Sequence, residues 1–200
     1  MKIYLVRHGL TDWNIERRFQ GIEDIPLNDT GRKQARDCGQ ALTSLSFAAI
    51  YASPLQRAYE TATIITDKLN GYHKEHGRND SVLTVKADSR LIERDFGKVS
   101  GLLPKERKVF LESGEDANME EFEHLTERLM AAMKEYQEEY QGQNVLVVTH
   151  GGVINAILHV LSKGEIGTGK TLVANTSIAI LDDEDGNLKI ETYNMKISDL

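Results

Sequence analysis

The segment from Asn144 to Thr149 (NVLVVT) constrains the fold of this chain most strongly, because its apolar residues are consecutive. A strand with one face in water alternates apolar and polar residues, whereas a continuously apolar strand is buried on both faces, as in a parallel sheet between helices. Residues 2–6 (KIYLV) form a second such run. Helical periodicity fills much of the chain between these runs. The sequence therefore predicts an α/β fold, a three-layer α/β/α sandwich with a largely parallel sheet.

Changes in periodicity and turn-forming residues predict the other elements. Ser53 and Pro54 are typical of a helix start, with serine as the N-cap and proline at the first helical position. Glycine and proline interrupt residues 88–118, which we expect to form a small cap-like insertion within a single domain of residues 1–200. The remaining predicted elements are helices over 30–46, 54–69, 122–140 and 152–162, strands over 48–52 and 82–85, a loop over 70–81, and a hairpin of residues 177–181 and 188–193.

Composition limits the partners of the chain. Its 200 residues carry 24 Lys and Arg against 31 Asp and Glu, a net charge of -7, and such a surface repels nucleic-acid phosphates. No apolar stretch approaches the ~20 residues that span a bilayer, and residues 2–6 lack the features of a signal peptide. The single cysteine, Cys38, cannot form an internal disulfide. We therefore expect a cytoplasmic protein that binds neither nucleic acid nor membrane, and a homo-oligomer remains open.

Both apolar runs end in a histidine followed by glycine, at Arg7-His8-Gly9 and at His150-Gly151-Gly152. In open α/β sheets, ligands bind where the carboxyl ends of strands meet, and Arg57 follows a third strand end. Two arginines and two histidines there would form a cationic site. Such a site suits a phosphate, because guanidinium groups and the N–H groups of a helix N-terminus both bind phosphoryl oxygens. The alternative is that Arg7 and Arg57 form ordinary surface ion pairs.

Several short motifs occur in one order along most of the chain, from about residue 3 to residue 181. Together they resemble the histidine phosphatase (phosphoglycerate mutase-like) superfamily, which implies a phosphoglycerate mutase-like fold. Each motif alone has little specificity, whereas the set is highly specific. The motifs are LVRHGLTDWN at residues 5–14, FQG at 19–21, SPLQRA at 53–58, LIERDFG at 91–97, VTHGG at 148–152 and NTS at 175–177.

The resemblance implies a phosphomonoester hydrolase that needs no metal or other cofactor and acts on a small phosphorylated metabolite. His8 would attack phosphorus to give a phosphohistidine. Glu93 would donate a proton to the leaving oxygen and then accept one from the attacking water. The remaining implied site residues would bind the phosphoryl oxygens and stabilise their charge; they are Arg7, Asn14, Gln20, Arg57, His150 and Gly151 through its backbone N–H.

Three positions depart from the family pattern. Leu10 stands where the opening motif usually has glutamate, and Val99-Ser100 stands where a tryptophan-glutamate pair is common. Phe96 occupies the position of a tyrosine with which the family's mutases grip the substrate carboxylate. This last departure favours a phosphatase over a phosphoglycerate mutase, which must keep water from its phosphoenzyme. A mutase and a non-catalytic phosphate-binding domain remain the alternatives.

The stretch from Gly164 to Thr171 (GEIGTGKT) matches the phosphate-binding loop pattern G-x-x-x-x-G-K-[ST]. That loop works between a preceding strand and a following helix, which together aim N–H groups at the phosphates. Here a helix is predicted before the stretch and extended chain after it. We therefore interpret the stretch as a glycine loop near the site and not as a nucleotide-binding motif.

Overall fold

A six-stranded sheet forms the centre of the computed structural model, which describes residues 1–77 and 82–199. The strands are β1 (Lys2–Arg7), β2 (Ala49–Ala52), β3 (Val85–Ala87), β4 (Val145–Thr149), β5 (Ile178–Glu184) and β6 (Asn187–Met195). Their order across the sheet is β3-β2-β4-β1-β5-β6. The first four run parallel, whereas β5 is antiparallel to both of its neighbours. The sheet is therefore largely parallel, as predicted.

The two apolar runs singled out in the sequence are neighbouring strands. In the parallel pairing of β1 with β4, Arg7 lies opposite Thr149. His8 and His150 therefore leave adjacent strands at the same edge of the sheet. Strand β2 pairs with β4 on its other side and ends at the same edge, so the residues that follow Ala52 join them there.

Helices cover both faces of the sheet and bury its side chains in two cores. They are α1 (Asp12–Ile15), α2 (Asp29–Ala41), α3 (Gln56–Glu75), α4 (Pro104–Glu112), α5 (Phe122–Glu139) and α6 (Gly151–Leu161). Leu5 and Val147 belong to the core formed with α5 and α6, whereas Val6 and Val148 belong to the core formed with α2 and α3. The predicted three-layer α/β/α sandwich is confirmed. Within the described ranges, no helix is long and apolar enough to cross a membrane.

The start of α3 differs from the prediction. The helix begins at Gln56, and Leu55 occupies the N-cap position without a side-chain cap. Ser53 lies two residues before this N-cap, and its hydroxyl lies 2.8 Å from Nε2 of His150 and accepts from the N–H of Leu55 at 3.3 Å. The serine that indicated a helix start thus belongs to the cluster at the strand ends.

The end of α3 and the bounds of three strands also differ from the prediction. Helix α3 continues to Glu75, through residues predicted as a loop, because a glycine such as Gly71 in a helix interior costs only about 1 kcal/mol. The strand predicted over 82–85 is wrong apart from Val85, since β3 pairs with β2 over Val85–Ala87. Residues 78–81 of the predicted loop lie outside the described residues. The predicted hairpin is confirmed, with longer strands, as β5 and β6.

The segment of residues 88–118 is more regular than its glycines and its one proline, Pro104, indicated. It contains short 3-10 turns at Ser89–Leu91 and Gly97–Val99 and the helix α4, which has proline at its first position. No residue of α4 is buried, so its sequence has no clear apolar stripe. A Cβ on Gly97 would lie 2.0 Å from the carbonyl oxygen of Ala117, and glycine is therefore required where the two ends of the segment meet.

Candidate active site

A cavity of about 350 Å³ opens at the carboxyl ends of β1 and β4. Of the residues predicted for the site, all but His150 line this cavity. His150 is fully buried next to His8, with 5.2 Å between the two ring centroids. The structure thus brings the whole predicted set together. The lining members of the set are Arg7, His8, Asn14, Gln20, Arg57, Glu93 and Gly151.

His8 follows β1 and has one ring nitrogen engaged with the backbone. Its Nδ1 lies 2.7 Å from the carbonyl oxygen of Gly9. Because a carbonyl oxygen only accepts, Nδ1 carries the proton and Nε2 keeps its lone pair. Burial lowers the pKa of His8 well below 6.5, and the charges of Arg7 and Arg57 lower it further. His8 is therefore neutral at pH 7, the state in which an imidazole nitrogen is nucleophilic.

Close packing of the loop after β1 fixes the backbone of His8. A Cβ on Gly9 would lie 2.4 Å from the carbonyl oxygen of Gly31 in α2, so only glycine allows the loop to approach that helix. The N–H of Gly9 donates to Oγ1 of Thr61 at 3.0 Å. The amide Nδ2 of Asn175 donates to the carbonyl oxygen of His8 at 3.0 Å. Helices α2 and α3 and the loop before β5 therefore hold this short loop in place.

Arg57 is a fully buried cation that its surroundings only partly satisfy. Its Nη1 and Nη2 donate to the carbonyl oxygens of Glu23 and Gly21, at 2.6 Å and 2.7 Å, whereas its Nε has no hydrogen-bond partner within the described ranges. Burial lowers the pKa of Arg57 to about 10, although Glu93 acts in the opposite direction. Burying a charge is costly unless the charge is paired. An anion in the cavity would supply that pairing.

Arg7 has a similar environment next to the start of α6. Its Nη1 donates to the carbonyl oxygen of Val173 at 2.6 Å, and its buried Nε has no partner in the described part of the chain. Burial lowers the pKa of Arg7. A Cβ on Gly151 would lie 3.3 Å from that Nε, so the guanidinium packs against the first residue of the helix. A guanidinium and the N–H groups of a helix N-terminus together suit a phosphate.

His150 joins β4 to α6 and is fully buried. Its Nε2 lies 2.8 Å from Oγ of Ser53, and its Nδ1 has no partner among the residues described. Burial lowers the pKa of His150 well below 6.5, and the charge of Arg57 contributes. The ring is therefore neutral at pH 7 with one nitrogen available. We predicted Ser53 as a helix cap and missed this contact. The position of Ser53 directly after β2 is the signal that could have shown it.

Glu93 presents a buried carboxylate to the same cavity, with 8% of the residue exposed. The carboxylate accepts hydrogen bonds from the N–H of Arg94 at 3.0 Å and from the N–H of Gly152 at 3.1 Å. Oγ1 of Thr149 donates to the carbonyl oxygen of Leu91 at 2.8 Å. The segment that carries Glu93 is therefore attached to the last residue of β4, which His150 follows directly.

Asn14 and Gln20 are oriented by Thr11 at the start of α1. Oγ1 of Thr11 donates to Oε1 of Gln20 at 2.9 Å, and the N–H of Thr11 donates to Oδ1 of Asn14 at 3.2 Å. Nδ2 of Asn175 also donates to Oδ1 of Asn14. Because both amide oxygens accept from the protein, both NH₂ groups are left to donate toward the cavity. Sequence reasoning missed Thr11 as the residue that orients them.

The rest of the cavity lining is mostly apolar, with two further arginines and the polar side chains of Asn155 and Thr168. Phe19 and Phe96 stack with their ring centroids 4.4 Å apart. The other apolar and cationic lining residues here are Phe122, Leu125, Leu172, Val173, Arg18 and Arg94. Leu10, the residue in place of the usual glutamate, is not among the described residues that line the cavity. Its N–H instead donates to Oε1 of Gln34 at 2.8 Å.

The glycine loop of residues 164–171 also reaches the cavity, through Thr168 and Gly169. Helix α6 precedes it, and no helix begins in the residues that directly follow it. The loop therefore lacks the strand and helix that a nucleotide-binding loop requires. Its interpretation as a glycine loop near the site is confirmed.

Comparison with known proteins agrees with this geometry. Residues 3–196 match the histidine phosphatase superfamily (branch 1). The chain is 35% identical over 193 residues to the uncharacterized phosphatase PhoE of Bacillus subtilis (strain 168), a match that covers 96% of this chain and 94% of that protein. It is 32% identical over 196 residues to the metal-independent phosphoserine phosphatase of Arabidopsis thaliana, with coverage of 92% and 77%.

Among solved structures, a phosphoglycerate mutase from Bacillus anthracis str. Sterne aligns with a TM-score of 0.81 at 25% sequence identity. The alignment covers 99% of this chain and 94% of that one. Proteins named as phosphatases and as mutases are thus both similar to this chain in sequence or structure. The family match extends over nearly the whole chain, and the protein belongs to the histidine phosphatase superfamily (branch 1).

Proposed function

We propose that this protein hydrolyses small phosphomonoesters through a phosphohistidine on His8, without a metal ion. One observation carries the proposal. The neutral, buried His8 keeps the lone pair of Nε2 in a cavity shared with Arg7 and Arg57. Neither arginine forms an ion pair within the described ranges. A nucleophile next to unpaired cations is the arrangement that phosphoryl transfer requires.

In the first step, Nε2 of His8 attacks phosphorus in line with the ester oxygen. The N–P bond forms as the P–O bond to the leaving group breaks. Glu93, in its protonated form, gives its proton to the leaving oxygen, which departs as an alcohol. The negative charge that spreads over the three equatorial oxygens is stabilised by the guanidinium groups of Arg7 and Arg57.

In the second step, water attacks the phosphohistidine. The Glu93 carboxylate takes a proton from this water, the O–P bond forms, and the N–P bond breaks to release inorganic phosphate and neutral His8. Glu93 ends the cycle protonated, ready for the next ester. The same residue thus serves as acid and then as base, and the atoms and charges balance over the cycle.

The neutral hydrogen-bond donors of the site complete the phosphate cradle. When the Ser53 hydroxyl donates to Nε2 of His150, Nδ1 of that ring carries the proton and donates to a phosphoryl oxygen. The NH₂ groups of Asn14 and Gln20 and the backbone N–H of Gly151 donate to the others. None of these groups changes charge during the reaction, so their contribution requires no reorganisation.

The lining of the outer cavity favours hydrolysis over mutase activity. Phe96 and Phe19 form an apolar wall in the region where a mutase would grip a carboxylate. Leu172 is 86% exposed at the mouth of the cavity, which leaves the entrance open to the water that a phosphatase needs and a mutase excludes. We propose a substrate whose leaving group has apolar surface next to these side chains.

The proposal includes the cap-like insertion that the sequence predicts over residues 88–118. Arg94 and Phe96 of the 88–118 segment line the cavity, and the Arg107 guanidinium lies 3.8 Å from the centre of the Phe19 ring. Nη1 of Arg18 donates to the carbonyl oxygen of Gly101. These contacts support an insertion that forms one wall over the site within a single domain of residues 1–200.

The test is hydrolysis of para-nitrophenyl phosphate with and without EDTA, using the wild type, His8→Ala and the control His124→Ala, which changes an exposed histidine. The proposal expects turnover that survives EDTA, is unchanged in the control and disappears in His8→Ala. Isomerisation of phosphoglycerate with a bisphosphate primer, and no hydrolysis, would establish the mutase instead. Binding of phosphate with neither activity would establish the non-catalytic domain.

A further inference from the structure

Arg128, on α5, directs its guanidinium at the backbone of the segment that carries Glu93. Nη1 of Arg128 donates to the carbonyl oxygens of Arg90 at 2.5 Å and Ile92 at 2.8 Å, and Nη2 lies 3.4 Å from the carbonyl oxygen of Glu93. One side chain thus contacts three carbonyls within four residues. Arg128 is not among the described residues that line the cavity, and all three of its guanidinium nitrogens donate to these carbonyls or to Glu120.

Glu120 holds both Arg128 and the far end of the same segment. Its carboxylate accepts from Nε and Nη2 of Arg128 at 2.8 Å and 2.9 Å. Its backbone N–H donates to the carbonyl oxygen of Asp95 at 2.9 Å, and its own carbonyl accepts from Nε of Arg94 at 2.9 Å. Arg128 and Glu120, which we name the brace, therefore hold residues 90–95 at both ends.

The geometry of the brace differs from that of an ordinary surface ion pair. The side chains of Arg128 and Glu120 are only 22% and 18% exposed. The pairing uses two N–H donors of one guanidinium, which otherwise donates to backbone carbonyl oxygens. Exposed ion pairs contribute little to stability, whereas shielded, two-point pairs in a network contribute more and fix orientation.

The segment needs such support because no regular element holds it. After the 3-10 turn at Ser89–Leu91, residues 92–96 belong to neither a helix nor a strand. Among the described residues, the Glu93 carboxylate accepts from two N–H groups, those of Arg94 and Gly152. An acid must lie within hydrogen-bond reach of the oxygen that it protonates, and small displacements of catalytic groups are costly.

We propose that Arg128 is a positioning residue that places Glu93 for proton transfer, with Glu120 as its partner. The inference rests on the proposed role of Glu93 as the acid. It assigns a function in the reaction to a residue that does not line the cavity. We expect the brace to affect turnover most for substrates whose leaving oxygen needs a proton.

The test compares Arg128→Met with the wild type on two substrates. Para-nitrophenyl phosphate has a good leaving group, and glycerol 3-phosphate has a poor one. We expect kcat for glycerol 3-phosphate to fall at least about 10-fold more than kcat for the aryl ester, because general acid catalysis contributes about 10²–10⁴-fold where the leaving group needs it. Inhibition by inorganic phosphate should change by less than about threefold, since the Arg128 guanidinium is engaged by backbone carbonyls and Glu120 and does not line the cavity.

The matched control is Arg90→Met, which removes an arginine of similar exposure that pairs with Asp88 and Glu135. This variant keeps the carbonyl of residue 90 that Arg128 contacts, and both activities should stay within about twofold of the wild type. Arg128→Lys keeps the charge without the two-point geometry. It should show the same selectivity in a milder form, which covers the case in which Arg128→Met does not fold.

A double-mutant cycle with Glu93→Gln completes the experiment. If Arg128 acts through Glu93, adding Arg128→Met to Glu93→Gln should lower glycerol 3-phosphate turnover by less than about twofold. Equal losses on both substrates, or additive losses in the double variant, would overturn the positioning role. If Glu93→Gln itself shows no leaving-group selectivity, the proposed acid is wrong, and the positioning role is wrong with it. If Glu93→Gln shows leaving-group selectivity and neither Arg128 variant does, the role of Arg128 alone is overturned.

Discussion

The N–H of Gly152 donates to the Glu93 carboxylate at 3.1 Å, and a Cβ on Gly152 would lie 2.4 Å from Oε1 of the same carboxylate. The turn from β4 into α6 therefore packs directly on the side chain that we propose as the acid. Only glycine at position 152 allows this approach. The relationship links the second histidine motif, HGG, to a residue almost sixty positions earlier in the chain.

Gly152→Ala should displace the Glu93 carboxylate and impair proton transfer. We expect kcat for glycerol 3-phosphate to fall by about 10- to 100-fold and kcat for para-nitrophenyl phosphate to fall much less, because only the former needs the acid. Steady-state kinetics on both esters measures the effect. A Gly152→Ala variant with wild-type turnover of glycerol 3-phosphate would show that the contact has no role.

Gly71→Ala is the glycine control for Gly152→Ala and should leave the turnover of both esters unchanged. The same variant also tests a prediction on stability. Gly71 lies within α3, and a Cβ there would meet no atom within 4 Å. The substitution should raise the free energy of unfolding by about 0.5–1 kcal/mol, because glycine loses more backbone entropy than alanine in a helix. Denaturant unfolding measures this change, and a loss of stability would contradict the assignment of residues 70–75 to the helix.

Much of the fold follows from the sequence because the burial of a strand determines which of its residues are apolar. The consecutive apolar residues of β1 and β4 reflect helices on both faces, and the two histidines after them reflect the shared edge. Helix α4 was missed because none of its residues is buried. The end of α3 was misplaced because a helix tolerates Gly71 when tertiary packing holds the rest of it.

Arg57 was predicted for the site from its residue type at a strand end, whereas Glu93 was predicted only from the resemblance of its surrounding motif to the family. Residues that orient others were missed, because their role depends on contacts across the chain. Ser53 is 97 positions from His150, and Arg128 is 36 from Ile92. Serine and arginine are also common residues with many structural uses, so the sequence has no local signal for these roles.

Arg57→Met should show how strongly the site depends on a buried cation. We expect kcat/KM to fall by about 10²–10³-fold, the loss typical of removing one donor to the transition state. Vanadate, as a phosphate analogue, should raise the melting temperature of the wild type and have little effect on the variant, since ligand binding stabilises only a folded state that binds.

The matched control for Arg57→Met is Arg32→Met, which removes the surface pair with Glu60. It should keep both wild-type turnover and the vanadate effect, because surface pairs contribute about 0–1 kcal/mol. Full vanadate stabilisation of Arg57→Met would mean that Arg57 does not hold the phosphoryl group.

The lowered pKa of His8 makes stability depend on pH in a defined direction. The folded protein holds the ring neutral below its ordinary pKa of 6.5, so the unfolded state binds the extra proton first. The stability contributed by the neutral ring is thus complete above about pH 6.5 and is lost as the pH falls toward the folded pKa, by up to about 1.4 kcal/mol per pH unit for this histidine.

His8→Asn removes this titration and should reduce the loss of stability on acidification. Urea unfolding of both proteins at about pH 5 and about pH 7 measures the difference. Equal pH dependence in the two proteins would mean that His8 titrates normally in the folded state, and its availability as a neutral nucleophile at acidic pH would then be lost as well.

The central claim is a covalent phosphoryl group on His8. The direct measurement is mass spectrometry of the protein mixed rapidly with para-nitrophenyl phosphate and quenched in base, where phosphohistidine survives. The account predicts a species heavier by one phosphoryl group, located on the peptide that contains His8, present in the wild type and absent from His8→Ala. Turnover by the wild type with no such species, or a phosphoryl group on another residue, would contradict it.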